Sequence, residues 1–296
     1  MNKNNSRKIQ AFSLIELSIV ILIIGILVAG VTSSSRLITR MKVVTAQNLT
    51  RNSPVSSIKD LSIWYETSLD ESFDTAEESE DSPITTWFDL NTQSSFKINS
   101  IQATVDNKPK FKTNIFNGLP GILFDGSNDF MLSSSVGISG KGLSIFVVAQ
   151  RKAFATTQGI LSGTYSTTTS DEANSPGGFQ AFYDTNSGTY ASLCSGVWYT
   201  VISQTTPRDG FPFIVSTIFS GTSNTGYLNN IVGSTVNGSP NFFVDRLYLG
   251  SRYVNAPTQF FNGHIAEIII FNRGLNTEER LAVNAYLSKK YTIKVS

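Results

Sequence analysis

Cysteine and histidine are almost missing from this chain of 296 residues, which holds one of each. A single cysteine, Cys194, excludes an intrachain disulfide. It lies in the strand-like stretch Tyr190-Ala191-Ser192-Leu193-Cys194 and reads as a buried, inert thiol. A single histidine, His264, excludes zinc sites built on several histidines and leaves a Ser-His-Asp triad nothing else to use. No Gly-x-Ser-x-Gly elbow accompanies it, so beside Gly263 it is expected to fill a turn. Charge is sparse as well, at 15% of residues and a formal +1. That balance gives no basic face for nucleic acid. Phosphate loops, dinucleotide fingerprints and EF-hand spacing are also missing.

One long apolar run is present, and it contains an acid. From Phe12 to Val31 there are twenty residues, of which only Glu16 is charged, and Lys3, Arg7 and Lys8 precede them. An ionisable side chain inside a membrane segment costs roughly 2.5–3.5 kcal/mol on insertion scales, so it is kept where something pairs with it. The helix is expected to continue past Val31. Thr32 to Asn48 lacks Gly and Pro, and Leu37, Met41 and Val44 recur at helical spacing. Asn52-Ser53-Pro54 stops it, because Pro cannot donate and disfavours helix before it. Phe12 to Asn52 would then span about 60 Å, too long for a bilayer alone.

The stretch Lys8-Ile9-Gln10-Ala11-Phe12-Ser13-Leu14-Ile15-Glu16 resembles the processing region of type IV prepilins and of type II secretion pseudopilins. The resemblance covers about the first 45 residues. It implies cleavage between Ala11 and Phe12 by a prepilin peptidase, N-methylation of Phe12, and an assembly role for Glu16. The family usually has Gly before the cut; Ala11 is small enough for the same steric demand. The freed amino group of Phe12 in one subunit and Glu16 of a neighbour would neutralise each other when the helices are in register. The rival is an ordinary signal peptide or anchor, with Val28-Ala29-Gly30 as cleavage site. Against it, Glu16 stands where such peptides want only apolar residues.

The segment from Asp70 to Asp81 carries seven acids in twelve residues and reads as a solvated, poorly ordered loop. From Gly121 onward short strands alternate with turns. Leu143–Ala149, Phe213–Phe219 and Ile265–Phe271 read as strands buried on both faces. Asn229-Asn230 between Tyr227-Leu228 and Ile231-Val232 reads as a two-residue hairpin turn. Thr164–Gly178 reads as an exposed loop. A closing helix follows Asn276 or Thr277, with Leu281, Ala282, Ala285, Tyr286 and Leu287 as its apolar face and Lys289 and Lys290 suiting the dipole of its last turn.

The turn Phe124-Asp125-Gly126-Ser127-Asn128-Asp129-Phe130 is similar to one recurring in laminin-G-like, concanavalin-A-like jelly rolls. So is Phe261-Asn262-Gly263-His264-Ile265-Ala266-Glu267 with the strand and helix that follow it. The expected domains are a leader (1–11), a transmembrane and assembly helix (12–52) and a β-sandwich head (53–296) with a short C-terminal helix. Members of that superfamily bind glycans or proteins, and some hydrolyse glycosides. Hydrolysis needs two carboxyl groups at a set separation, and the alternating acids of the family's endoglucanases are not found. Glu267, alone in an apolar strand with Ile265 and Ile269 taken to share its face, is expected to pair with a basic or backbone group at a sheet rim. Asp125, Asn128 and Asp129 could offer oxygens to a structural Ca²⁺, but turn chemistry explains them more simply. Tyr165, Tyr183, Tyr190, Trp198, Tyr199 and Tyr253 are candidates by type for stacking on sugars.

The expected protein is therefore a bacterial prepilin-like subunit, a minor pilin or pseudopilin, and not an enzyme. Its partners would be the prepilin peptidase, other pilin subunits, the inner membrane, and a glycan or surface protein met by the head outside the cytoplasm. The alternative is a secreted or membrane-anchored lectin-like adhesin.

Overall fold

A computed structural model describes residues 14–153, 157–166, 177–184, 190–194, 197–202, 209–238 and 240–295. Helix α1 runs Leu14–Arg51, and Pro54 opens a 3-10 turn just beyond it. Both Asn52 N–H and its side-chain amide donate to the Asn48 carbonyl, closing the last turn. Two compact units divide the chain, one ending at Lys42 and the other covering Val43–Ser296. In the first unit the apolar side chains of α1, among them Ile15, Leu17, Ile21, Leu22 and Leu27, are exposed. Among the described residues no helix is long and apolar enough to cross a membrane. From Leu14 to Gly30 the described apolar run is about 25 Å long, short of the roughly 30 Å hydrocarbon core. Phe12 and Ser13, which would lengthen it, lie outside the described residues.

The second unit is a sandwich of two eight-stranded antiparallel sheets. In order across the first lie Ile231–Asn237, Ser223–Leu228, Pro212–Ser220, Gly142–Arg151, Asn262–Phe271, Leu119–Asp125 and Lys110–Phe116. The strand Leu61–Glu66 pairs with the second half of Asn262–Phe271, whose first half pairs with Leu119–Asp125. Across the second sheet lie Val197–Ile202, Tyr190–Cys194, Phe179–Asp184, Gln158–Thr164, Arg246–Leu249, Met131–Ser133, Ser100–Ile101 and Thr86–Trp87. In each sheet runs of consecutive strands are joined by long crossovers, such as Gly142–Arg151 beside Asn262–Phe271 and Gln158–Thr164 beside Arg246–Leu249, as in a jelly roll.

Two cores explain the continuous apolar runs. Leu143, Ile145, Val147 and Ala149 point between the sheets, beside Phe124, Phe179, Leu249 and Ile268. Phe146 and Val148, on the opposite face, pack with Ala46 of α1 and with Val283, Tyr286, Leu287 and Tyr291 of α2, residues Thr277–Tyr291. The first sheet thus has a helical layer over its outer face, so its central strands are apolar on both sides. Asn229 and Asn230 have φ of 48° and 67°, the left-handed values a two-residue hairpin turn needs.

Three expectations fail here. The segment Asp70 to Asp81 is not loose, although most of its acids are exposed. Gln47 donates to Asp70, Arg51 pairs with Glu71, Glu80 accepts from Thr113 and Lys112, and Phe73 is buried in the core. The buried face of α2 is rotated from the one read off the sequence: Leu281 is 41% exposed, while Arg280, Val283, Asn284 and Lys290 are buried. His264 occupies no turn but sits within the strand Asn262–Phe271, opposite Leu123 and Gln150.

Candidate functional site

Glu16 lies in the first turn of α1 and is exposed, while Ala11 and Phe12 lie outside the described residues. Its position follows from local sequence alone, because nothing between Leu14 and Gly30 interrupts the helix. The carboxylate is the one charge on that stretch.

A second charged group is formed by tertiary structure. The register of the first sheet sets Glu66 directly across from Glu267. Lys290, from the last turn of α2, reaches between them, with Nζ 2.5 Å from Glu66 Oε2 and 2.9 Å from Glu267 Oε2. All three side chains are fully enclosed. Every carboxylate oxygen is occupied. Glu66 Oε1 accepts from the Leu69 N–H at 2.5 Å and the Ser72 hydroxyl at 2.9 Å. Its Oε2 accepts from the N–H and hydroxyl of Ser68. Glu267 Oε1 accepts from the Trp64 indole at 2.7 Å and from the Tyr286 hydroxyl at 2.9 Å. Tyr291 donates to its Oε2 at 2.8 Å. The Thr50 and Tyr286 hydroxyls, 3.2 Å apart, tie the end of α1 to the same network.

Charges this deep survive only when paired and hydrogen-bonded. Burial works against the charged form of Glu66, but the Lys290 ammonium and the hydrogen bonds from Lys290 and Ser68 outweigh it and hold the carboxyl below its usual range. Burial likewise opposes the charge on Lys290, and the Glu267 and Glu66 carboxylates overcome it, raising the ammonium above its ordinary value. Burial, then the two carboxylates, push the Tyr286 and Tyr291 hydroxyls well above the usual tyrosine range. Tyrosine therefore donates here and does not compete for protons.

Glu267 thus takes a basic partner, as its sequence context suggested, but in the core and not at a rim. Ile265 does not share its face, because a bulge between Ile265 and Glu267 turns Ile265 toward the inter-sheet core. Glu66 and Lys290 carried no comparable signal, because their partners lie 224 positions apart. A usable hint was a lone acid in each of two apolar strands and a lysine set between Tyr286 and Tyr291 in the closing helix.

The Asp125 turn follows turn chemistry. Asp125 Oδ1 accepts the N–H groups of Ser127 and Asn128, and Asp129 Oδ2 accepts the Asp125 N–H at 3.0 Å. Burial and then the nearby Asp125 carboxylate raise Asp129 to about 7. Among the described residues no three His, Cys, Asp or Glu side chains converge on a metal position. Of the aromatic candidates, Tyr165 is exposed, whereas Tyr253 is buried and stacked 4.5 Å from Tyr248. The side chains of Tyr183, Tyr190, Cys194, Trp198 and Tyr199 lie outside the description. A cavity of about 520 Å³ opens beside the last turn of α1, lined among others by Arg51, Trp64, Leu69, Phe88, Leu90 and Lys97.

Residues 6–32 match the prokaryotic N-terminal methylation motif, which supports a pilin- or pseudopilin-like role for this end of the chain. No curated protein matches the chain. The head is similar in fold to domain 4 of AbnA, a GH43 extracellular arabinanase from Geobacillus stearothermophilus solved with arabinotriose. The TM-score is 0.51 at 15% identity, over 77% of this chain and 98% of that one. Trypanosoma rangeli sialidase, solved with sialic acid, aligns with a TM-score of 0.50 at 13% identity over 78% of this chain; the match spans 33% of the sialidase. At these identities the likeness is one of β-sandwich fold.

Proposed function

We propose that this chain is a minor pilin or pseudopilin, inserted in the bacterial inner membrane by its N-terminal helix and then assembled into a type IV pilus or secretion pseudopilus with its head outside the cytoplasm. The observation that carries the reading is the methylation motif over residues 6–32 with Glu16 as the sole charge of the apolar run from Phe12 to Val31. In that reading a prepilin peptidase cuts between Ala11 and Phe12 and methylates Phe12. The new amino group then pairs with Glu16 of a neighbouring subunit, removing two costly charges from an apolar bundle at once. Sequencing the mature N-terminus tests the cut, with Phe12 as first residue expected. Glu16→Ala should be processed normally yet fail to enter filaments; entry at the wild-type level would refute the assembly role.

The head is proposed as a contact module and not an enzyme. In support, the carboxylates of Glu66 and Glu267, which face each other, are closed off by Lys290 and five hydroxyl or indole donors. A glycan or a surface protein is the proposed ligand, and no metal is required. The sandwich of AbnA was solved with arabinotriose, which makes sugars the first ligand class to assay. Binding of the intact protein to none of a broad set of glycans would turn the search to protein partners.

A further inference from the structure

Lys290 and its two carboxylates form more than an anchor for α2. Two carboxylates and one ammonium leave a net charge of −1 in a site with no solvent access, a costly arrangement for an ion pair. The three groups are also disposed for chemistry. Nζ lies 2.5 Å from Glu66 Oε2, so the carboxyl carbon is one bond beyond. The opposite oxygen, Oε1, rests on the Leu69 N–H and the Ser72 hydroxyl, two donors placed where negative charge would collect if that carbon became tetrahedral. Glu267 Oε2, 2.9 Å from Nζ, is fixed in place by Tyr291, while Trp64 and Tyr286 hold its other oxygen.

We propose that Lys290 and Glu66 become joined by an intramolecular amide, made by the folded head itself with Glu267 as the proton carrier. Glu267 takes one proton from the ammonium and frees the lone pair of Nζ. Glu267 passes that proton to Oε2, so Glu66 is a neutral acid when the amine adds to Cδ, forming the carbon–nitrogen bond, and one negative charge gathers on Oε1. Glu267 then takes the second proton from nitrogen and passes it to Oε2 as well. The bond from Cδ to Oε2 breaks, and Oε2 leaves as water beside the Ser68 N–H and hydroxyl, its former partners. One ammonium and one carboxylate are consumed, an amide and a water are made, and Glu267 ends as it began. The net charge is −1 before and after, and no oxidant or reductant enters. The step is favoured because it removes a buried ion pair, and a dry site disfavours the returning water.

The bond would span from the first strand of the head to its last helix. A pull arriving through α1 enters at Leu61–Glu66 and would pass at Glu66 directly into α2, sparing the sheets between. With one cysteine, the chain has no disulfide to do this. Only the use under tension rests on the pilin reading; the bond needs nothing beyond the folded head.

Mass spectrometry of the full chain, purified in detergent, reads the bond directly. The expected mass is one water below that of the chain with its measured N-terminus. In a tryptic digest, Asp60–Lys97 should appear joined to a peptide that begins at Lys290 or earlier and shows no cut after it. Lys290→Arg keeps a cation but should restore the full mass. Glu267→Gln, shown folded by circular dichroism, should also restore it. A wild-type chain of full mass, cleaved by trypsin after Lys290, would overturn the proposal. Persistence of the deficit in Glu267→Gln would overturn the role of Glu267. N-terminal sequencing reports on pilin processing separately, so failure of one reading does not imply failure of the other.

Discussion

Replacing Lys290 by methionine keeps most of the stem and removes the cation that stands between Glu66 and Glu267. Both carboxylates would then face each other across the register of the first sheet with no counter-charge and no route to solvent. Removing one partner of a buried ionic group costs about 3–5 kcal/mol, against a total of about 5–15 kcal/mol for an ordinary domain. The sign with pH follows from the same groups. While Lys290 and Glu66 remain an ion pair, before the amide closes, Glu66 is held below its usual range, so its contribution is complete above the ordinary carboxylate value and fades as pH falls through the lowered one. In Lys290→Met, burial and mutual repulsion raise the carboxyls, so the folded state takes up protons and gains stability on acidification. The deficit, taken against Lys290→Arg, which keeps a cation without forming the amide, should therefore be largest near pH 7 and shrink toward pH 4, which urea melts of both variants at several pH values would show. Adding Glu66→Gln and Glu267→Gln to Lys290→Met should recover much of the loss, because no buried charge remains. A loss below about 1 kcal/mol at pH 7, or one that grows on acidification, would refute the electrostatic account.

His264 gives a second pH signature. Burial, then the nearby Lys152 and Lys112, push its pKa down to about 4, so the unfolded chain binds a proton first and stability falls between about pH 6.5 and pH 4, by up to about 3 kcal/mol. Melts of His264→Gln should be flatter over that interval. Asp129 works in the opposite direction. Raised to about 7 from 3.8, it makes the fold more stable as pH falls between those values, and Asp129→Asn should stabilise the protein at pH 8 while removing that slope. Gly250 has φ of +75°, and a Cβ there would lie 2.1 Å from the Phe124 ring, which is wholly buried. Gly250→Ala should cost about 2–4 kcal/mol in a thermal or chemical melt.

Much of this protein is written locally. The uninterrupted apolar run, the stop at Pro54, the capping box of Asn276 and Glu279, and the Asn229-Asn230 turn each depend on residues a few positions apart. Their physics is that of backbone propensity, caps and turn geometry, which a sequence states directly. The position of Glu16 is of this kind, since a helix fixes where its side chains stand. The buried cluster is of the other kind. Glu66 meets Glu267 only because the strand Leu61–Glu66 finds the second half of Asn262–Phe271, and a single bulge decides which face Glu267 takes. Lys290 looks like an ordinary end-of-helix cation until the packing of α2 over the first sheet turns it inward. The order of the acidic stretch Asp70 to Asp81 likewise depends on Gln47, Arg51 and Lys112, which the fold brings to it. Sequence determined where many of the elements start and stop, and where the apolar run carries its single charge. Tertiary structure alone decided which charges meet inside the head, because that depends on strand pairing and helix rotation between residues far apart in the chain.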